Sequence, residues 1–290
     1  MRVKRKIHPL LVMFIIFLLC AVAWAVSELS GQANKSAADA GMASADMEMA
    51  SMDTIAKPVQ APPNIDWNQE RRLKKELETL DNAYKGIAGR AQQQAGTPQG
   101  VAESTRKDLL ASAAKFKDTS DRYAELWEKG NCVTRARLAR EAGASRVAGA
   151  EVIASGADSG KISALNDQQD KLNAARQAYI KEAVANQELS ASDKASMKTN
   201  LMPRAQKLVT DTGGLVTQVA SLLDQVRSQA SPAGVVGGLG GCAASTVSGT
   251  SAPADSAADL LSPVTSLLSL AKGLAGNASS LVSDITTLTN

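Results

Sequence analysis

Four thioethers crowd one short stretch: Met42, Met47, Met49 and Met52, half of the chain's eight methionines. Thioether sulfur is a soft ligand, so this spacing marks a candidate site for Cu(I) or Ag(I), with Asp46, Glu48 and Asp53 adding negative charge. The plainer expectation is a low-complexity linker or a weakly amphipathic helix, because no His or Cys stands near to complete a ligand set. No cofactor is expected.

Two cysteines, Cys132 and Cys242, remain once the N-terminal segment is set aside. An even count in an oxidising compartment predicts one disulfide, closing a loop of about 110 residues. The alternative is a bond to another chain.

Other chemistry is poorly provided for. The one histidine, His8, lies in the N-terminal segment, which leaves Ser-His-Asp and Cys-His systems without their base. Gly156 to Lys161 resembles a phosphate loop but is one residue short, and Ile162 stands where a Ser or Thr would hold magnesium. Ser159 and Lys161 are the residues of a Ser–Lys dyad, though a turn is the simpler reading. The glycines 237, 238, 240 and 241 miss the dinucleotide spacing and follow no strand pattern. The expectation is therefore no enzyme and no catalytic residues.

The elements that would position these groups begin with the N-terminus. A basic head (Arg2, Lys4, Arg5, Lys6) precedes an apolar run from Leu10 to Val26, and Ala23-Trp24-Ala25 offers small residues at −3 and −1. This predicts a signal peptide over 1–25, cleaved after Ala25. The alternative is an uncleaved anchor over 10–26, at the short limit for a span, which would bring membrane contact through the N-terminal segment. Both make residues 27–290 extracytoplasmic, either periplasmic or secreted. The formal net charge of +3 includes the four basic residues named, so a chain without residues 1–25 carries −1. Such a balance gives no electrostatic reason to bind nucleic acid.

Residues 26–64, small, polar and interrupted by Pro58, Pro62 and Pro63, read as a flexible tether. A helical bundle is then expected over 65–229. Asp66 suits an N-cap for a helix with Leu73, Leu77, Leu80, Tyr84, Ile87 and Ala91 inward; Leu109, Ala113, Phe116, Ser120, Tyr123 and Trp127 line a second. The arginines 135, 137, 140 and 146 are spread around a third helix and read as a solvated face. A fourth, with Ile162, Leu165, Leu172, Tyr179 and Ala183 inward, is interrupted by Gln169 and Arg176.

The strongest pattern is a heptad seam through Leu201, Ala205, Leu208, Thr212, Leu215, Val219, Leu222 and Val226. Pro203 and Gly213-Gly214 predict a kink within it. Residues 230–256 read as a Gly/Ser/Ala loop. An amphipathic helix over 257–290 repeats the seam with Leu260, Val264, Leu267, Ala271, Leu274, Ala278, Leu281, Ile285 and Leu288. It is expected to pack on the bundle, with a membrane-active or oligomerising role as the alternative. With aromatics at only 3%, the composition suits an all-α, elongated bundle with coiled-coil-like packing, behind a signal segment and a tether. Its expected role is structural, scaffolding or protein-binding, with other envelope proteins or a second copy as partner.

Overall fold

Asp66 starts its helix as its type demands: the Oδ1 atom accepts from the backbone N–H groups of Asn68 and Gln69 at 2.9 and 3.2 Å. The structure is a computed structural model describing the backbone of residues 9–230 and 252–290, and the side chains of 24–25, 27–230 and 258–290. Among the described residues all regular structure is helical. The helices are α1 (Pro9–Met52), α2 (Trp67–Ala95), α3 (Glu103–Lys129), α4 (Val133–Ser155), α5 (Ser159–Ala185), α6 (Ala191–Ser196), α7 (Met202–Ala230) and α8 (Ala252–Thr289).

The expected tether is the main correction. Residues 27–52 belong to α1, and α1 is the helix around which the bundle is built. Leu29, Ala33, Ala37, Ala40, Ala45, Met47 and Ala50 are buried. Helices α2, α4, α7 and α8 pack around α1 and α5 touches it, while α3 lies outside against α2 and α4. Small size, read as a sign of flexibility, instead allows close approach. A Cβ on Gly41 would fall 2.9 Å from the carbonyl oxygen of Gly149 and 2.5 Å from Ile153 Cγ1, so α1 and α4 cross nearly in backbone contact. Within residues 53–64, also expected to be loose, Thr54 and Ala56 are pinned: Tyr179 Oη donates to the Thr54 carbonyl (2.9 Å) and accepts from the Ala56 N–H (3.0 Å).

The two seams pair as an antiparallel hairpin. Leu201, Ala205 and Leu208 share one apolar cluster with Ala278, Leu281, Ile285 and Leu288, and Leu215 to Val226 share another with Val264 to Leu274. The apolar row of α8 is thus spent inside the bundle. The expected kink takes a specific form. Met197–Leu201 is a π turn joining α6 to α7, and the Met202 N–H donates to the Met197 carbonyl. Widening the turn just before Pro203 accommodates a residue that has no N–H and whose ring crowds the preceding turn. Gly213-Gly214 leaves α7 unbroken. Helix α4 breaks at Gly156, whose φ of 73° suits glycine, and Asp158 caps α5 by accepting from the Lys161 N–H at 2.9 Å.

Most of the expected 230–256 loop lies outside the described residues, and α8 begins at Ala252, earlier than 257. Among the described residues no helix is long and apolar enough to cross a membrane. The run from Leu10 to Val26 has described side chains only at Trp24 and Ala25.

Candidate functional site

Polar residues on core positions are what distinguish this bundle from a plain apolar one. Arg146, expected in solvent, is fully buried between α1 and α2. Its Nε donates to Glu48 Oε2 at 2.6 Å and one Nη to the Ala45 carbonyl at 3.2 Å; the same Nη lies 2.8 Å from Asp81 Oδ1. Its guanidinium covers the rings of Phe116 and Tyr84 at 4.2 and 4.5 Å. Glu48 also accepts from Ser44 Oγ at 2.8 Å, and Gln169 donates to Ser44 and Ser145 at 2.6 and 2.7 Å. Gln169, which looked like a gap in a seam, completes this polar layer.

Two further buried arginines grip α1 or its exit. Arg176 Nε donates to Asp284 Oδ2 at 2.9 Å; its other nitrogens reach Ser51 Oγ (3.1 Å), Asn173 Oδ1 (2.6 Å) and the Asn277 carbonyl (3.2 Å). Arg135 donates to the Ala56 carbonyl at 3.3 Å, pairs with Glu188, and lies over the Tyr179 and Trp127 rings at 5.0 and 5.3 Å. Only Arg137 and Arg140 keep the expected exposure, Arg140 paired with Glu128. The signal was present in the spacing. Arg135 and Arg146 are in helical register with the buried Ala139, Ala142, Ala150 and Ile153.

Charge burial shapes the protonation of this layer. Burial pushes the Glu48 carboxyl above its ordinary value, against the pull of Arg146. Burial opposes the charge on Arg146, but Glu48 and Asp81 outweigh it and hold the guanidinium ionised. Burial likewise raises the Tyr84 hydroxyl, whose oxygen has no partner. The layer reaches the surface through Lys85, whose Nζ lies 2.9 Å from Asp81 and 2.6 Å from Asp46.

At Asp46 this chain of charges enters a groove of about 510 Å³. Its floor is a partly open stripe of α1, Asp39, Met42, Ala43 and Asp46, at helical spacings of three, four and seven. One wall is α7, with Leu208, Asp211, Gly214, Leu215 and Gln218, and the other carries Gln92 of α2, which donates to Asp39. A smaller pocket continues it, lined by Lys85, Arg204 and Lys207. Each of these cations is paired: Lys207 with Asp211 at 2.5 Å and Arg204 with Asp53 at 2.5 Å, Lys85 as above.

The four methionines divide between two hydrophobic clusters. Met47, Met49 and Met52 belong to one hydrophobic cluster, and Met42 packs against another. Among the described residues no group of three or more His, Cys, Asp or Glu is placed to hold a metal ion. Lys161 does not match the base of a Ser–Lys dyad. Its hydrogen bond to Glu151 raises its pKa and keeps it protonated. Cys132 sits buried at the start of α4 and has no disulfide partner among the described residues, while Cys242 lies outside them. No known protein family, characterised protein or solved structure matches the chain.

Proposed function

We propose that this is a non-enzymatic extracytoplasmic protein, a helical module that binds or scaffolds another macromolecule. The observation that carries this reading is the groove, which leaves Asp39, Met42, Ala43 and Asp46 of the central helix partly accessible between α2 and α7. The charged groups beneath it are locked in pairs. Glu48, the carboxyl raised by burial, is sealed from solvent, so no substrate reaches it.

The location rests on the N-terminal pattern, a basic head, an apolar run and small residues at −3 and −1. N-terminal sequencing of the exported protein is expected to begin at Val26; a chain retaining residues 1–25 would favour the anchor. Crosslinking of the native protein followed by mass spectrometry tests the binding role. Crosslinks to a partner are expected, and a strictly monomeric, uncrosslinked chain would overturn it.

A further inference from the structure

We infer that Cys132 and Cys242 do not bond to each other within one chain, and that Cys132 is a buried free thiol of the folded protein. An even cysteine count suggests the intrachain disulfide, but the directions and lengths of the helices put it out of reach.

Helix α4 runs antiparallel to α1. Arg135 meets Ala56, Gly149 meets Gly41, and Asn34 accepts from the Ala157 N–H just past the end of α4. Cys132, which precedes α4, therefore stands at the end of the bundle where α1 stops. Helix α7 also opposes α1, with Arg204 on Asp53 and Gln218 on Ser36, so Ala230 is carried to the far end. Helix α5 opposes α4, with Lys161 on Glu151 and Gln169 on Ser145, and α8 runs alongside α5 in the same direction. Gly273 lies beside Asn166, Ser280 beside Gln177 and Asp284 on Arg176. Ala252, the first residue of α8, is thus at the far end as well.

At about 1.5 Å per residue, α4 alone separates Cys132 from Gly156 by roughly 35 Å. From Ala252 to Gly273, α8 is about 32 Å long, and α5 matches only about 10 Å of that between Ser159 and Asn166. Ala252 therefore overhangs the start of α5 by about 20 Å and, allowing for helix tilt, lies about 50 Å from Cys132. The ten residues from Cys242 to Ala252 span at most about 36 Å when fully extended. A disulfide joins Cα atoms no more than about 7 Å apart, so the bond falls short by several ångströms. The other flank is no kinder. Ala230 lies about 18 Å past Gln218, which again places it about 50 Å from Cys132. The twelve residues from Ala230 to Cys242 reach at most about 43 Å.

Burial accounts for the state of Cys132 itself. It is 8% exposed, and its Sγ donates to the Gly130 carbonyl at 3.5 Å. Burial pushes the thiol above its ordinary pKa, which withholds the thiolate that disulfide exchange needs. On the cleavage reading above, Cys20 is lost with residues 1–25, which leaves Cys242 no partner within the chain.

The test takes the full exported protein, purified without reductant, and offers oxidised glutathione as electron acceptor. Each disulfide formed between two thiols passes two electrons and two protons to one glutathione disulfide, releasing two glutathiones. Free thiols are then alkylated with iodoacetamide, before or after unfolding in urea, and the peptides of the monomer band of a non-reducing gel are mapped by mass. Cys132 is expected to carry no glutathione, to react at least about tenfold more slowly in the folded protein, and never to be joined to Cys242. A Cys132–Cys242 peptide from the monomer band overturns the inference, as does alkylation of Cys132 at equal rates in folded and unfolded protein. A Cys20–Cys242 peptide would instead overturn the cleavage reading and support Cys132 as the free thiol.

Discussion

Arg146 and Arg176 are equally buried yet differently compensated. Arg146 stands against two carboxylates, Glu48 and Asp81, and stacks on two rings. Arg176 has one carboxylate, Asp284, which keeps some contact with solvent, and neutral partners otherwise. Burial lowers the pKa of Arg176, with Asp284 opposing, whereas the pair of carboxylates carries Arg146 the other way. For these two, the second carboxylate separates the cation held ionised from the one whose charge burial disfavours.

Removing each arginine gives the largest expected effect. Arg146→Met strands Glu48 in the interior, while Asp81 keeps Lys85, and should cost roughly 3–5 kcal/mol. Arg176→Met leaves a carboxylate that water can reach and should cost about 2 kcal/mol. Urea unfolding midpoints measure both, and equal losses would break the comparison. Taking the carboxylates instead should reverse the order. Asp284→Asn deprives Arg176 of its counter-charge at a cost of roughly 3 kcal/mol. Asp81→Asn leaves Arg146 with Glu48 and Lys85 with Asp46, for about 1 kcal/mol. A larger loss for Asp81→Asn would mean that charge count is not what matters.

The pH dependence sharpens the contrast further. Because burial raises the Glu48 carboxyl above its usual 4.5, the folded chain retains a proton that the unfolded chain has released. Its contribution to stability is complete below the ordinary Glu range and is lost as pH rises through the folded value. Wild type should therefore lose stability relative to Glu48→Gln as pH rises toward neutrality, read from unfolding midpoints at several pH values. A parallel profile for the two would show that Glu48 is not raised. The smallest effect is expected at Ser51→Ala, about 0.5 kcal/mol, because Arg176 keeps its other partners. A thermal melt with no shift would remove Ser51 from the compensation of Arg176.

Helices α2, α3, α5, α7 and α8 were legible because each repeats large apolar residues at the helical period. The seam from Leu201 to Val226 is buried at every position, Thr212 included. The groove was not legible, since Asp39, Asp46 and Asp211 come together only when α1 and α7 pack. Gln169 and Arg176 did mark their helix as unusual, but periodicity cannot distinguish an interruption of a seam from a polar contact across it.

The sequence by itself determined the helical class, the helix cap at Asp66, and the rows of α7 and α8, because these depend on neighbours three to seven residues apart. Only the tertiary structure decided the fate of residues 27–52 and of the arginines. Ala, Ser and Gly carry little hydrophobic signal of their own, yet their small size lets α1 lie close against α4 at Gly41 and Gly149. An arginine is stable inside only where carboxylates from distant segments converge, Glu48 and Asp81 on Arg146, and that convergence is a property of the packed chain.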